Sequence, residues 1–239
     1  MKTNLVTLSL SAVFLLTISC ADSLEYRYAN KEDTIACNNA PINTDLYKEA
    51  LYSFEDYIDQ INNKQTNRNF IQGYNVFIGR TIANQGLETS KVSEHDIRIF
   101  NALKKEKDLW VNDNGTYRLN YNSDLVTCIA DNILDEALQT TFKALIETNS
   151  MNTRLFVSPL RSKMGAVLKD KFLATYIALD MFYSQFFTTD FSNVELIPDD
   201  EKFPKESDLP KTPPSATPSK SVKPLLDPNK VEKTKANQK

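Results

Sequence analysis

Apolar residues recur at helical spacing over residues 158–187, and this stretch constrains the fold more than any other part of the chain. Beyond Lys171 the apolar side chains extend most of the way around the helix axis. A helix that is apolar on all sides is stable only when other elements cover it. Ser158-Pro159 has the residue types of a helix start, a cap followed by proline. The sequence therefore predicts one central helix from Ser158 to about Phe187.

Four shorter stretches show the same periodicity and predict the surrounding helices. Ser93 and Ser123 stand at the starts of two of them as N-cap residues. Asn114-Gly115 lies between β-prone runs, which is the strongest short signal for a hairpin. The predicted fold is mainly α, a bundle-like domain of about five helices with one β-hairpin near residues 110–121. The four shorter helices are expected over residues 44–61, 67–84, 93–107 and 123–148.

The first residues have the layout of an export signal. Lys2 gives a basic start, and residues 5–18 form an uncharged, mostly apolar run. This run is shorter than the roughly 20 apolar residues that a membrane-spanning helix needs. A basic start, a short apolar core and small residues at the end are typical of a cleaved secretory signal. We therefore expect residues 1–19 to be removed as a signal peptide.

The end of this leader, Thr17-Ile18-Ser19-Cys20, resembles the lipobox of bacterial lipoproteins. Ser19 fits the small residue before the cysteine, whereas Thr17 stands where an aliphatic residue is usual. The resemblance implies that Cys20 becomes the first mature residue and carries acyl chains such as palmitate. Two or more chains give stable membrane anchoring. The protein is then expected in the cell envelope, on the outer membrane, facing the periplasm or the surface. Ordinary secretion and an uncleaved anchor are the alternatives.

Two cysteines remain once Cys20 is set aside, Cys37 and Cys128. Outside the cytoplasm, a pair of thiols is usually oxidised. The sequence thus predicts a disulfide between Cys37 and Cys128. The alternative is that both are small buried apolar residues.

Composition and charge divide the mature chain into three segments. Residues 20–43 are polar and predict a tether, residues 44–197 a helical domain, and residues 198–239 a disordered tail with eight prolines. Residues 209–239 carry a net charge of +5. Because the whole chain is −3 and the leader +1, residues 21–208 are net −9. Such an acidic body argues against nucleic-acid binding. The basic tail could reach an anionic surface, such as cell wall or lipid headgroups.

The sequence offers few residues for catalysis or metal binding. Its single histidine, His95, is predicted in the first turn of a solvent-exposed helix, so a metal site with two histidines is impossible. Glu55 and Asp59, like Asp131 and Asp135, are four residues apart and share a helix face. Facing pairs could bind a divalent cation, but solvated surface carboxylates are the favoured interpretation. We predict no catalytic residue, no metal and no cofactor.

Asp180 is unusual because it lies inside the apolar central helix, between Leu179 and Met181. A carboxylate there must be hydrogen-bonded, ion-paired or facing a wet groove. The favoured interpretation is an ion pair with an arginine such as Arg80, and the alternative is contact with a ligand. The aromatic residues that follow are predicted in the core rather than on a binding face: Phe182, Tyr183, Phe186, Phe187 and Phe191.

Three functions follow from these observations. The leading hypothesis is a membrane-anchored envelope lipoprotein with a non-enzymatic role in binding or scaffolding envelope proteins or the cell wall. The alternative is a helical lipoprotein that binds a ligand or glycan in a groove lined by Asp180 and aromatic residues. The third is an enzyme, which would need a cleft that holds His95 beside a buried carboxylate.

Overall fold

The computed structural model describes residues 23–31, 35–37, 42–62 and 69–203. This part of the chain is mainly helical and contains one two-stranded antiparallel hairpin. The predicted fold class, mainly α with a hairpin, is confirmed. The leader, Cys20 and the tail after Phe203 lie outside the described residues, so the predictions made for them stay predictions.

Nine α-helices and two strands make up the regular structure of these residues. Short 3₁₀ or π segments lie at Thr89–Lys91, Ala178–Phe182 and Tyr183–Phe187. The helices and strands in chain order are α1 (Thr44–Ile61), α2 (Phe70–Ile82), α3 (Glu94–Leu103), β1 (Trp110–Asp113), β2 (Thr116–Leu119), α4 (Asp124–Asn132), α5 (Glu136–Glu147), α6 (Thr153–Ser162), α7 (Met164–Val167), α8 (Lys171–Ile177) and α9 (Asp199–Lys202).

Helix α1 and the segment 171–187 form the centre of the core. Ten of the 18 residues of α1 are buried, so this helix is covered on more than one side. The ring of Phe182 packs against Phe54 and Tyr57 of α1, with centroids 5.3 and 4.6 Å apart. Aromatic pairs at this distance stabilise a core beyond their buried area. The predicted central position of the segment around Phe182 is therefore observed, but α1 shares it.

The predicted caps and hairpin appear where the sequence signals stand. Ser93 and Asp96 form a capping box at α3, and the Ser123 hydroxyl accepts the Val126 N–H at the start of α4. Asn114 and Gly115 have φ values of 51° and 91° at the hairpin turn. Both central residues of a type I′ turn need positive φ, which Asn-Gly provides.

The helix predicted over residues 123–148 is interrupted. Helix α4 ends at Asn132, and Ile133 adopts an extended backbone. Asp135 then caps α5, since its carboxylate accepts the Leu138 N–H at 3.0 Å. The buried side chain of Ile133 continues the apolar pattern across the break, which is why periodicity gave one helix where there are two.

The helix predicted from Ser158 to Phe187 is also divided, and its predicted start is wrong. Helix α6 begins at Thr153, where Asn152 caps it by accepting the Leu155 N–H. Pro159 lies inside this helix, not at its first position. Further along, Asp170 caps α8 by accepting the Leu173 N–H at 3.0 Å. An N-cap residue provides one acceptor for an unpaired N–H, so Asn and Asp can start helices within a continuous apolar pattern.

Helix α8 continues into a π-helical segment, Ala178–Phe182, and then into a 3₁₀ turn. Such a change of pitch leaves backbone carbonyls without their usual N–H donors. Side chains replace them, because Ser184 Oγ donates to the Asp180 carbonyl at 2.5 Å and Gln185 Nε2 donates to the Met181 carbonyl. Wide turns of this kind occur frequently at functional sites.

Cys37 and Cys128 form a disulfide, with their Cα atoms 5.8 Å apart. This distance lies in the range of unstrained disulfides. The bond ties the segment before α1 to α4. Among the described helices, none combines the length and the apolar character needed to cross a bilayer.

Candidate functional site

A cavity of about 700 Å³ lies beside the π-helical segment, and we call it the Asp180 cavity. Four elements meet there: the C-terminal end of α2, the hairpin turn, the first turn of α6 and the π-helical segment with the turn after it. The volume lies in the range of small-molecule sites. The lining residues are Thr81, Ile82, Asn84, Gly86, Thr116, Asn152, Thr153, Arg154, Asp180, Met181, Ser184 and Gln185.

Asp180 is 6% exposed and its carboxylate accepts three hydrogen bonds from hydroxyl groups. Oδ1 accepts from the Tyr121 hydroxyl at 2.9 Å. Oδ2 accepts from Thr153 Oγ1 at 3.0 Å and from the Tyr176 hydroxyl at 2.9 Å. The predicted ion pair with Arg80 is wrong, because Arg80 Nη1 lies 3.6 Å from Glu88 Oε2 instead. A carboxylate inside an apolar helix needs hydrogen bonds or an ion pair, and Asp180 obtains hydrogen bonds from three neutral hydroxyl groups.

Burial and hydrogen bonding act on the Asp180 carboxyl in opposite directions. Removal from water raises its pKa above the ordinary value, while the hydroxyls of Tyr121, Tyr176 and Thr153 and the more remote charge of Arg118 lower it. The net direction is upward. Burial and the neighbouring carboxylate also raise the pKa of both tyrosines, so they remain neutral donors. The hydrogen bonds and the charge of Arg118 thus compensate only part of the cost of removing the Asp180 carboxylate from water.

Helix α6 presents its amino end to the cavity. Asn152, Thr153 and Arg154 all line it, and the Arg154 guanidinium donates to Asn84 Oδ1 at 3.3 Å. Arg154 is exposed at the rim, whereas Asp180 is buried. The lining residues therefore carry one carboxylate and one guanidinium, separated by amides and hydroxyls. This mixture suits a small polar molecule.

His95 lies in the core, which corrects the prediction of a solvent-exposed residue. Its side chain is fully buried, and Nε2 lies 2.6 Å from Glu49 Oε1. Glu49 also accepts the backbone N–H groups of Arg27 and Tyr28, at 2.7 and 3.0 Å. A histidine beside a buried carboxylate is the pair that an enzyme would need. Here both side chains are at most 1% exposed, so a substrate cannot reach them.

A second buried polar group, the Lys202 cluster, consists of Lys202, Ser53, Ser93 and Asp96. Lys202 Nζ donates to Ser53 Oγ at 2.7 Å and to Ser93 Oγ at 3.0 Å, and lies 3.5 Å from Asp96 Oδ1. Asp96 also accepts from Ser53 Oγ and Ser93 Oγ. The lysine and aspartate side chains are 3% and 1% exposed. The cluster therefore fastens α9 to α1 and α3 and is closed to ligands.

The predicted carboxylate pairs take part in separate structural contacts. Glu55 lies 3.2 Å from Lys171, while Asp131 and Asp135 pair with Lys143 and Lys163. In the part of the chain that the structure describes, no group of three or more histidine, cysteine or carboxylate side chains is arranged to hold a metal ion.

The aromatic residues after Asp180 belong to the core and its edge. Phe182, Tyr183 and Phe186 are buried, and Phe187 and Phe191 are half-buried against the core. The cavity lining contains none of them. The groove lined by Asp180 and aromatic residues, expected for a glycan site, is therefore a cavity in which Asp180 is accompanied by hydroxyl and amide groups and by the aliphatic side chains of Ile82 and Met181.

Sequence reasoning missed the three hydroxyl donors and the guanidinium at the rim. Tyr176 could have been found, because it precedes Asp180 by four residues and so faces the same side of a helix. Tyr121, Thr153 and Arg154 come from other elements, and no local pattern relates them to Asp180.

Comparisons of this chain with protein-family models, with curated proteins and with solved structures find no match. The geometry of the site is thus the basis for a functional proposal.

Proposed function

We propose that this protein is a membrane-anchored binding protein of the cell envelope, which holds a small polar ligand in the Asp180 cavity. The observation that carries the proposal is the placement of a buried carboxylate, on a π-helical segment, in the wall of a cavity of about 700 Å³. Burying a charged group is unfavourable unless other groups compensate it. A ligand that interacts with Asp180 would compensate the cost of burying this carboxylate.

The lining favours binding over nucleophilic chemistry. The hydroxyl of Ser184 donates to a backbone carbonyl, and that of Thr153 donates to Asp180. Both hydroxyls therefore have structural partners. Asn84, Asn152 and Gln185 add amide groups. Each already makes a contact within the protein, but an amide oxygen has two lone pairs, so each can still accept a hydrogen bond from a polar ligand.

The envelope location is proposed from the leader and its lipobox-like end at Cys20. The disulfide between Cys37 and Cys128 supports this location, because such bonds persist in oxidising compartments. A lipid anchor would keep the cavity close to a membrane without any spanning helix.

Ligand retention tests the proposal directly. The full-length protein is purified from membranes, and native mass spectrometry reports any small molecule that remains bound. We expect a retained species, and we expect Asp180→Asn to reduce its occupancy by about tenfold or more, since hydrogen bonds to charged groups contribute about 1.5–3 kcal/mol. Asp113→Asn is the matched control, because Asp113 is exposed in the hairpin and does not line the cavity.

Two results would contradict the proposal. One is the absence of any retained molecule, together with an unchanged melting temperature in pooled polar metabolites. The other is equal loss of the retained molecule in both variants, because that result would not depend on the cavity.

Scaffolding is the second candidate function, and the net charge of +5 over residues 209–239 favours it. Deletion of residues 204–239 would then remove the proteins or cell-wall fragments that crosslink to the full chain. An unchanged set of crosslinked partners would exclude a role for the tail.

A further inference from the structure

Asp180 has no cationic partner within ion-pair distance among the residues that the structure describes. Its three donors are neutral hydroxyls, and the charge of Arg118 lowers its pKa less than any of these hydrogen bonds does. The amino end of α6 provides a partial positive charge nearby, through its dipole. The buried carboxylate is thus compensated by hydroxyl and helix dipoles and by the charge of Arg118, without a cation in direct contact among the described residues.

The carboxylate also has an unused acceptor position. A carboxylate has about four lone-pair sites, two on each oxygen. Oδ2 accepts from two hydroxyls, whereas Oδ1 accepts from Tyr121 alone among the described residues. One site on Oδ1 is therefore available, and Asp180 lines the cavity.

The chemistry of the remaining lining narrows the class of cation. A bound calcium or magnesium ion requires several oxygen ligands, commonly including more than one carboxylate. The Asp180 cavity contains a single carboxylate. An organic ammonium group can be held by one carboxylate and a few neutral acceptors. The amide oxygens of Asn84 and Asn152 accept from Arg154 and from the Leu155 N–H, and each has a second lone pair that can accept from such a group.

We infer that the ligand of the Asp180 cavity is a small amine, whose protonated nitrogen donates to Oδ1 of Asp180. This inference rests on the proposed binding function and specifies its ligand class. The ammonium group compensates the buried carboxylate, and the amides of the lining hold the polar remainder of the molecule. Arg154 at the rim contacts the end of the ligand that is remote from the nitrogen.

Matched probes that differ only in the charged group test this inference. Each pair compares an amine with the corresponding hydroxyl compound: glucosamine with glucose, alanine with lactate, and 4-aminobutyrate with 4-hydroxybutyrate. Isothermal titration at neutral pH measures each affinity for the full-length protein. For at least one pair we expect the amine to bind about tenfold or more tightly than its hydroxyl counterpart, as a charge-assisted hydrogen bond requires.

Variants then assign the preference to Asp180. In Asp180→Asn the preference should fall to about twofold or less, because the substitution keeps the shape and removes the charge. In Asp113→Asn the preference for the amine over the hydroxyl compound should be the same as in the unaltered protein. If Asp180→Asn fails to fold, the preference measured in the unaltered protein still decides the question.

The outcomes separate this inference from the proposed function. Equal or tighter binding of the hydroxyl compounds would overturn the amine inference and leave a binding function in place. Preservation of the amine preference in Asp180→Asn would overturn it as well. Failure of all six probes to bind overturns the inference, and only the additional absence of a retained ligand in native mass spectrometry removes the binding function too.

Discussion

Asp180 bears a charge that its burial disfavours, and this affects how stability depends on pH. Because its pKa is raised above 3.8, the folded chain binds a proton at pH values where the unfolded chain does not. The ionised form therefore reduces the free energy of unfolding at neutral pH, and the reduction disappears as pH falls through the folded pKa. Asp180→Asn removes this ionisation, so its free energy of unfolding relative to that of the unaltered protein should be most favourable at neutral pH and less favourable in acid.

Urea denaturation of both proteins at several pH values measures this difference. Tyr121 and Tyr176 stay neutral donors in this window, because the pKa of each is raised by burial and by the Asp180 carboxylate. The difference in free energy of unfolding between Asp180→Asn and the unaltered protein should change in favour of the unaltered protein as the pH is lowered. A difference that does not depend on pH would contradict the prediction. For Asp113→Asn, the difference from the unaltered protein should stay the same over this pH range.

Single residues also show where sequence reasoning reaches its limit. Periodicity identified Asp180 as unusual, because a carboxylate interrupts an apolar pattern. The same reasoning placed His95 in solvent, because nothing near it in the chain indicates Glu49, which lies 46 residues earlier. A polar contact between residues far apart in the chain produces no local sequence pattern. For the same reason, Tyr121 and Thr153 could not be predicted as partners of Asp180.

At the scale of elements, the four-residue helix α9 is held by two ion pairs, a buried one between Lys202 and Asp96 and a partly exposed one between Asp199 and Arg98. Removing one partner of a buried pair leaves an unpaired buried charge, which costs about 3–5 kcal/mol. Lys202→Met should therefore lower the free energy of unfolding by about this amount, because it leaves the buried Asp96 side chain without its cation. Urea denaturation at neutral pH gives the value.

A surface pair provides the matched control for this change. Lys143 lies 2.8 Å from Asp131, and both side chains are well exposed. Lys143→Met should change the free energy of unfolding by at most about 1 kcal/mol, as is usual for surface ion pairs. Combining Lys202→Met with Asp96→Asn should recover part of the loss. Similar losses for the two lysine variants would show that the Lys202 cluster does not stabilise the fold.

The disulfide joins an irregular segment to α4, and its contribution comes mainly from the unfolded chain. Cys37 and Cys128 are 91 residues apart, and closing a loop of this length corresponds to about 4–5 kcal/mol in the chain-entropy model. Replacing both cysteines by alanine should lower the free energy of unfolding by up to that amount. Equal electrophoretic mobility with and without reductant, together with two titratable thiols in the denatured protein, would contradict the pairing.

Elements are also where prediction from sequence succeeded best. Ser93, Ser123 and Asn114-Gly115 gave correct starts and a correct turn, because caps and tight turns are local in origin. The breaks at Ile133 and before Asp170 were missed, since buried side chains maintain an apolar pattern through a change of direction. The π-helical segment had no recognised signal, although Ser184 and Gln185 provide the donors that its carbonyls need.

For the whole molecule, the proposed membrane anchoring depends on Cys20, which lies outside the described residues. If Cys20 carries acyl chains, Cys20→Ala should move the protein from the membrane fraction to the soluble fraction, because the lipid provides the membrane affinity. Intact-mass analysis of the unaltered protein should show removal of residues 1–19 and the added mass of acyl chains. An unmodified mature chain in the soluble fraction would favour ordinary secretion.

The two ends of the described domain meet at one place. Tyr28 and Phe203 have ring centroids 5.7 Å apart, although they stand near the first and last described residues. A chain pulled by its two ends would load this contact first, and the hydrogen bonds of the Lys202 cluster would resist next. While these contacts hold, force between the two ends passes through the Lys202 cluster, which joins α9 to α1 and α3, and not through the residues that line the Asp180 cavity.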